Sequence, residues 1–282
     1  MSFSYDLLKL CLEGPKSKLD QTIYAQPAIT VTSLASLEKL RDERPNSIEN
    51  CVACCGFSLG EITALIFAGS IPFDQGIKLV QIRAEAMQIA SDSNPSGMAT
   101  VMYGPDSDLN GACIKAQEWC LERGIENPEC RIANFLYPHC KVVAGNLEAL
   151  KFLELNASQY KLRRIKRLPV SGAFHTNLME SAVEPFRQAL KKIKIEKPLV
   201  SVHSNVNGKR YRDANHILHQ LPKQIIKPVK WEQLLHILYE RSVGENFPRT
   251  FECAPGKGLT AILKQVNAKA WDTTFTVDRL EK

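Results

Sequence analysis

Residues 51–69 read CVACCGFSLGEITALIFAG, an apolar run interrupted by one serine. Cys51 to Cys55 is small and apolar, which suits a short strand buried on both faces, and Glu61 to Ala68 is rich in helix formers before Gly69. Strand, tight Gly-x-Ser-x-Gly turn and helix is the setting in which Ser58 becomes a nucleophile on a sharp elbow. Side chains at Gly56 and Gly60 would collide in such a turn, and the serine would take a strained, exposed conformation. The helix that follows aims free backbone N–H groups at any oxyanion formed nearby. An ordinary strand-to-helix turn with Ser58 as its cap fits the same pattern.

A serine hydroxyl is a poor nucleophile until a base takes its proton. Among the six histidines, His216, His219 and His236 fall in polar or amphipathic helical stretches, His139 at a turn and His203 in a short strand. His175 differs. In LPVSGAFHTNLMESAVEPF a strand ending at Val170 passes through Ser171-Gly172 to a helix beginning near Thr176 or Asn177. That puts an imidazole at a strand mouth, where clefts form; a packed or helix-capping histidine is the alternative. The position of His175, well before the C-terminus, does not suit the serine–acid–histidine order of the α/β-hydrolases.

A third residue carries a charge with no local partner. Over 73–91 the spacing predicts a helix with Phe73, Ile77, Val80, Ala84 and Met87 on one stripe, and Arg83 at its edge. Its neighbours three and four residues away, Leu79, Val80, Ala86 and Met87, are not acidic, so no intrahelical ion pair is available. The planar guanidinium suits a carboxylate held in bidentate fashion. That carboxylate belongs either to a ligand or to a buried glutamate.

The elements that must position these groups follow from periodicity. Helical spacing runs over Tyr5–Leu12 and from Pro27 to Arg44, with Pro27 in the first turn and Pro45 closing the segment. Residues 98–170 read as β-α-β-β-α-β: strand Met98–Gly104, helix Asp106–Arg123, strands Cys130–Leu136 and Lys141–Ala144, helix Asn146–Gln159 and strand Lys161–Val170. That order is the ferredoxin-like arrangement. Residues 171–282 return to alternating helices and strands, as expected of a mainly parallel sheet covered by helices. The expected fold is α/β: a large parallel-sheet, α/β-hydrolase-like domain of 1–96 and 171–282, with a small ferredoxin-like domain, 97–170, inserted.

Composition narrows the class further. At 282 residues, 44% hydrophobic and 23% charged, the chain has the makeup of a soluble globular protein. No apolar run approaches the ~20 residues of a membrane span, and MSFSYDLLKLCLEG lacks the basic start and apolar core of a secretory signal. The nine cysteines are irregularly spaced, which argues for reduced thiols over a disulfide framework or zinc site. A net charge of +6 favours acidic partners. The basic run KLRRIKR at 161–167 has no interleaved aromatics to stack bases, so it reads as a solvated strand edge and nucleic acid is not expected.

GFSLGE, QIRAEAMQ, IANF, VSGAFHTNLM, KQIIKPVKWEQ and ECAPGKGLTAIL occur here in the order seen in malonyl-CoA:acyl carrier protein transacylases, and the sequence is most similar to the mitochondrial animal enzymes. The resemblance spans nearly the whole chain, but the family's N-terminal strand and Gly-Gln-Gly loop, which supplies a second oxyanion N–H, has no counterpart here. It implies Ser58 as nucleophile, His175 as general base oriented by the backbone carbonyl of Gln224, and the Leu59 N–H as oxyanion donor. It further implies Arg83 as receptor for the malonyl carboxylate, Asn134 as an active-site asparagine, and Phe174 as the side chain that crowds the α-carbon against methylmalonyl groups. Malonyl-CoA and acyl carrier protein are the implied partners, with Arg164 and Lys166 available to guide docking. Metal and cofactor are not implied, and a monomer in the mitochondrial matrix is expected. A serine thioesterase or esterase shares the Ser58–His175 pair but passes the acyl group to water. An inactive carrier-protein or RNA-binding fragment is the remaining alternative, because of the unmatched loop.

Overall fold

The computed structural model describes residues 5–279; residues 1–4, which open the leader reading above, and residues 280–282 lie outside the described residues. Among the described residues nine strands form three sheets: β1 (Ala53–Cys54), β2 (Ser96–Tyr103), β3 (Cys130–Tyr137), β4 (Cys140–Asn146), β5 (Leu162–Arg167), β6 (Ser201–Val202), β7 (Val229–Lys230), β8 (Thr250–Glu252) and β9 (Thr274–Thr276). The largest has the order β5-β2-β4-β3-β7. Its first four strands are antiparallel neighbours, and β7 joins the β3 edge in parallel.

Alternation along these strands sorts their side chains between two environments. Val101, Val143 and Cys130 face the helices Leu109–Leu121 and Leu147–Leu155, burying Ala116, Cys120, Leu150 and Leu153. On the opposite face Met98, Ala133, Val142 and Ala144 pack with Ala173 and Phe174. KLRRIKR runs as edge strand β5, with exposed Arg163, Arg164 and Lys166.

The second large core is helical. Leu59–Phe67, Phe73–Ser93 and Glu180–Lys191 pack around Ile62, Leu65, Leu79, Val80, Met87, Phe186 and Leu190. In Glu180–Lys191 the buried residues Ala182, Val183, Phe186 and Leu190 recur every three or four positions, which fixes the face it presents. Burial of Phe186 or Leu190 is worth about 1.5–3 kcal/mol each. The strands of this half form parallel pairs, β1 with β6 and β8 with β9.

Three local expectations change. Pro27 is buried inside the helix Thr22–Glu43 instead of opening it; that helix does end just before Pro45, which also starts a short helix of its own, Pro45–Glu49. Only Ala53 and Cys54 of the segment 51–55 pair as a strand. That segment is not covered on both faces either: Cys51, Cys54 and Cys55 are half-buried and Val52 is 73% exposed, because these residues wall a cavity. Cys11, Cys51, Cys54, Cys55, Cys113, Cys120, Cys130, Cys140 and Cys253 are all free thiols. Among the described residues no helix is long and apolar enough to cross a membrane.

Candidate active site

Strand β1 lies parallel to β6 with Cys54 opposite Val202, and the chain then turns through Gly56-Phe57-Ser58 into the helix Leu59–Phe67. Hydrogen bonds from Gly60 N to Phe57 O (2.9 Å) and from Glu61 N to Ser58 O (3.1 Å) close the turn. Ser58 sits at φ 49°, ψ −104°, a conformation that a side-chain-bearing residue adopts only when its surroundings enforce it. Gly56 is required: a Cβ there would lie 1.9 Å from Gly60 O. Gly60 is not, since a Cβ there would meet nothing within 4 Å, so collision explains one of the two glycines. The Ser58 N–H donates to Asn205 Oδ1 at 2.6 Å. Among the described residues the Leu59 N–H, at the start of the helix, has no acceptor.

His175 is also at positive φ (63°) and is 2% exposed. Its backbone N–H donates to Ile225 O (3.1 Å), and ring Nδ1 lies 2.7 Å from Gln224 O. A carbonyl only accepts, so Nδ1 carries the proton and Nε2 keeps its lone pair. Burial, followed by the charge of Arg83, pushes the imidazole down to about 4 against the pull of the Gln224 and Lys227 carbonyls. The ring is therefore neutral at pH 7, the state a base requires.

Arg83 is 1% exposed within the helix Phe73–Ser93. Nη1 donates to Gln26 Oε1 (2.7 Å), and Nη2 donates to Gln224 Oε1 (2.8 Å) and Ser58 Oγ (3.0 Å). Nε is buried without a partner. Burial lowers its pKa to about 10, opposed by the charge of Glu61, so the group stays cationic at neutral pH. Among the described residues Arg83 has no ion pair: amide oxygens, not a glutamate, hold the fork. Ser58 Oγ thus rests on Arg83 and, among the described residues, is not hydrogen-bonded to His175.

Gln224 joins these groups. Besides its carbonyl on His175, its Nε2 donates to Ser58 O and to Glu61 Oε2, both at 2.7 Å. Glu61 is fully buried and also accepts from Tyr211 OH (2.6 Å) and Asn205 N (3.2 Å). Burial nonetheless raises its pKa, and these donors only moderate the rise. Asn134 is 3% exposed on β3, in a cross-strand row with Val142 and Thr100, and Phe174 bridges the sheet-face and helical cores. Ser58, Leu59, Asn134, Phe174 and His175 all line one cavity of about 1270 Å³, with Arg83 and Gln224 buried behind Ser58.

Sequence reading missed Gln26, Glu61, Asn205 and Tyr211. Glu61 left a signal: it is the lone acid heading an otherwise apolar helix, EITALIFAG. Gln26 and Asn205 are ordinary polar residues whose partners lie 57 and 147 positions away, and nothing local marks them. Among the described residues no cluster of His, Cys, Asp or Glu has the makings of a metal site.

A hydroxyl on a strained elbow, a neutral imidazole in the same cavity, an open N–H and a buried cation form a site suited to acyl transfer, and the surrounding fold is α/β. The chain belongs to the acyl transferase domain family, whose model matches residues 2–245, and within it to the malonyl-CoA-acyl carrier protein transacylases. It is 62% identical over 273 residues, 97% of its own length and 72% of the relative's, to the probable mitochondrial malonyl-CoA-acyl carrier protein transacylase of Drosophila melanogaster. Identity to the mitochondrial enzyme of Homo sapiens is 54% over 277 residues, covering 98% of this chain and 71% of that one. A solved complex of a type II polyketide synthase acyl carrier protein with its malonyl-transacylase superposes with a TM-score of 0.80 at 28% identity, covering 96% of this chain and 82% of that one.

Proposed function

We propose that this protein moves a malonyl group from malonyl-CoA to the phosphopantetheine thiol of acyl carrier protein, for fatty acid synthesis, through a malonyl ester on Ser58. One observation carries the substrate assignment: a buried guanidinium that, among the described residues, makes no ion pair touches the candidate nucleophile. A malonyl carboxylate that takes over the Arg83 fork would neutralise that charge and release Ser58 Oγ toward His175. An acetyl group would do neither.

His175 Nε2 then accepts the Ser58 proton as Oγ attacks the thioester carbon. The oxyanion is stabilised by the Leu59 N–H at the helix start. Collapse expels the CoA thiolate, which takes the proton from His175, and leaves malonyl-Ser58. The carrier thiol enters, gives its proton to the same nitrogen and attacks the ester, and the malonyl group departs as the new thioester while Ser58 regains its proton. The Gln224 carbonyl keeps the imidazole in one tautomer throughout. Asn134 and Phe174 shape the acyl end of the cavity, and the exposed Arg164 and Lys166 on β5 guide the acidic carrier. The cycle uses no metal or cofactor, and the protein acts as a monomer in the mitochondrial matrix.

Intact mass after brief exposure to malonyl-CoA tests this reading. A malonyl adduct that maps to Ser58, is absent from Ser58→Ala and is discharged by holo acyl carrier protein supports it. Release of free malonate with no acylated carrier would refute it in favour of a thioesterase.

A further inference from the structure

The parallel ladder between β1 and β6 stops at Cys54 opposite Val202. Continued at the same offset, it would bring Asn205 opposite Phe57. In a parallel ladder, the residue at that place donates to the carbonyl before its neighbour and accepts from the N–H after it. At Asn205 the side chain makes both bonds: Nδ2 donates to Gly56 O (2.8 Å) and Oδ1 accepts from Ser58 N (2.6 Å). A carboxamide offers the same donor and acceptor as a peptide group, so it serves as a rung where the backbone has begun to turn. Asn205 is fully buried, and its own N–H is anchored on Glu61 Oε1, which Tyr211 and Gln224 hold in turn.

From this geometry we infer that Asn205 is the positioning residue of the elbow. It spans the turn from Gly56 to Ser58 and holds Ser58 in its left-handed conformation. By occupying the Ser58 N–H, it also decides that the Leu59 N–H is the one left open for an oxyanion. Asn205 touches neither Arg83 nor His175, so its effect falls on the presentation of the hydroxyl and not on recognition of the acyl group. The inference rests on Ser58 being the acylated residue.

The test is rapid-quench mass measurement of Ser58 acylation at saturating malonyl-CoA, with KM and thermal midpoint recorded alongside, for the native protein, Asn205→Ala and Asn205→Asp. A misplaced nucleophile costs on the order of 10²-fold, so Asn205→Ala should lose about that factor in acylation rate. Its KM should stay within about twofold, because Gln26 and Gln224, which hold Arg83, are untouched. Asn205→Asp is close in shape, keeps an acceptor for Ser58 N–H and loses the donor to Gly56 O. It should acylate more slowly than native at an unchanged KM, and it decides the matter if Asn205→Ala does not fold. Acylation at the native rate in either folded variant, or a loss confined to KM, overturns the inference. Failure of the native protein to acylate would instead remove the reading of Ser58 on which it depends.

Discussion

Arg83→Met removes the cation while keeping an unbranched side chain of similar length, and it separates recognition from chemistry. Two effects on stability oppose each other. The substitution relieves the cost of burying a charge, a cost visible in a guanidinium pushed down to about 10. It also leaves Gln26 Oε1 and Gln224 Oε1 each short of a donor, at about 1–3 kcal/mol per buried acceptor, and Glu61 without the opposite charge beside it. The variant should therefore fold with a lowered thermal midpoint. Its effect on the reaction is larger. A malonyl carboxylate entering the same dry pocket without its partner faces the penalty of a truncated buried ion pair, about 3–5 kcal/mol, or roughly 10²–10⁴ in kcat/KM. Acetyl-CoA has no carboxylate to lose, and Ser58 Oγ would be freed from its bond to Arg83, so acetyl transfer should hold or rise. The assay is steady-state kcat/KM for both thioesters with one carrier protein as acceptor. Parallel loss for malonyl and acetyl groups would refute the argument, because it would make Arg83 a scaffold and not a receptor.

The pH dependence follows from His175, whose folded pKa of about 4 lies below the ordinary 6.5. Between these values the unfolded chain binds the proton and the native state does not. The stabilisation is therefore fully present above pH about 6.5 and is lost as pH falls toward 4, an effect of roughly 3 kcal/mol. Urea titrations at about pH 8 and about pH 4.5 should show it in the native protein and not in His175→Gln, and kcat/KM should stay level through pH 6 instead of falling to about a quarter there, as it would for a base at the ordinary 6.5. Gly56→Ala should abolish a cooperative thermal transition, because its Cβ meets backbone at 1.9 Å, whereas Gly60→Ala should melt within a few degrees of native. Phe174→Ala should raise methylmalonyl-CoA turnover relative to malonyl-CoA in a competition assay, with a lower midpoint from the lost packing between two cores. An unchanged ratio would assign Phe174 to packing alone.

Residues that announce themselves through their immediate neighbours were legible in the sequence. Ser58 stands between glycines at a strand-to-helix junction, His175 follows a strand end, and Arg83 interrupts an apolar stripe; the structure puts Ser58 and His175 on the wall of one cavity and Arg83 behind Ser58. The antiparallel order of β2, β3, β4 and β5 was legible for the same reason, since each of these strands is long enough to alternate. β1 and β6 are two-residue strands that show no period, so the segment 51–55 was overextended. Pro27 could not be placed from its own preferences, because packing of the helix Thr22–Glu43 outweighs the hydrogen bond that a proline interior forfeits. Asn205 and Gln26 were invisible because their meaning is set by partners distant in sequence. The contact of Ser58 Oγ with Arg83 in place of His175 is a choice among neighbours that no spacing rule decides.

The pairing of β7 with β3, Asn134 beside Val229 and Phe135 beside Lys230, has a mechanical consequence. The 3₁₀ turn Leu221–Ile225 that carries Gln224 leads into β7, so the carbonyl steering the imidazole is stitched to the rim of the antiparallel sheet. Any clamshell gaping between the two halves would tear that seam and swing the ring out of alignment. The base is thereby referenced to the same sheet edge when the donor thioester arrives and when the acceptor thiol follows it.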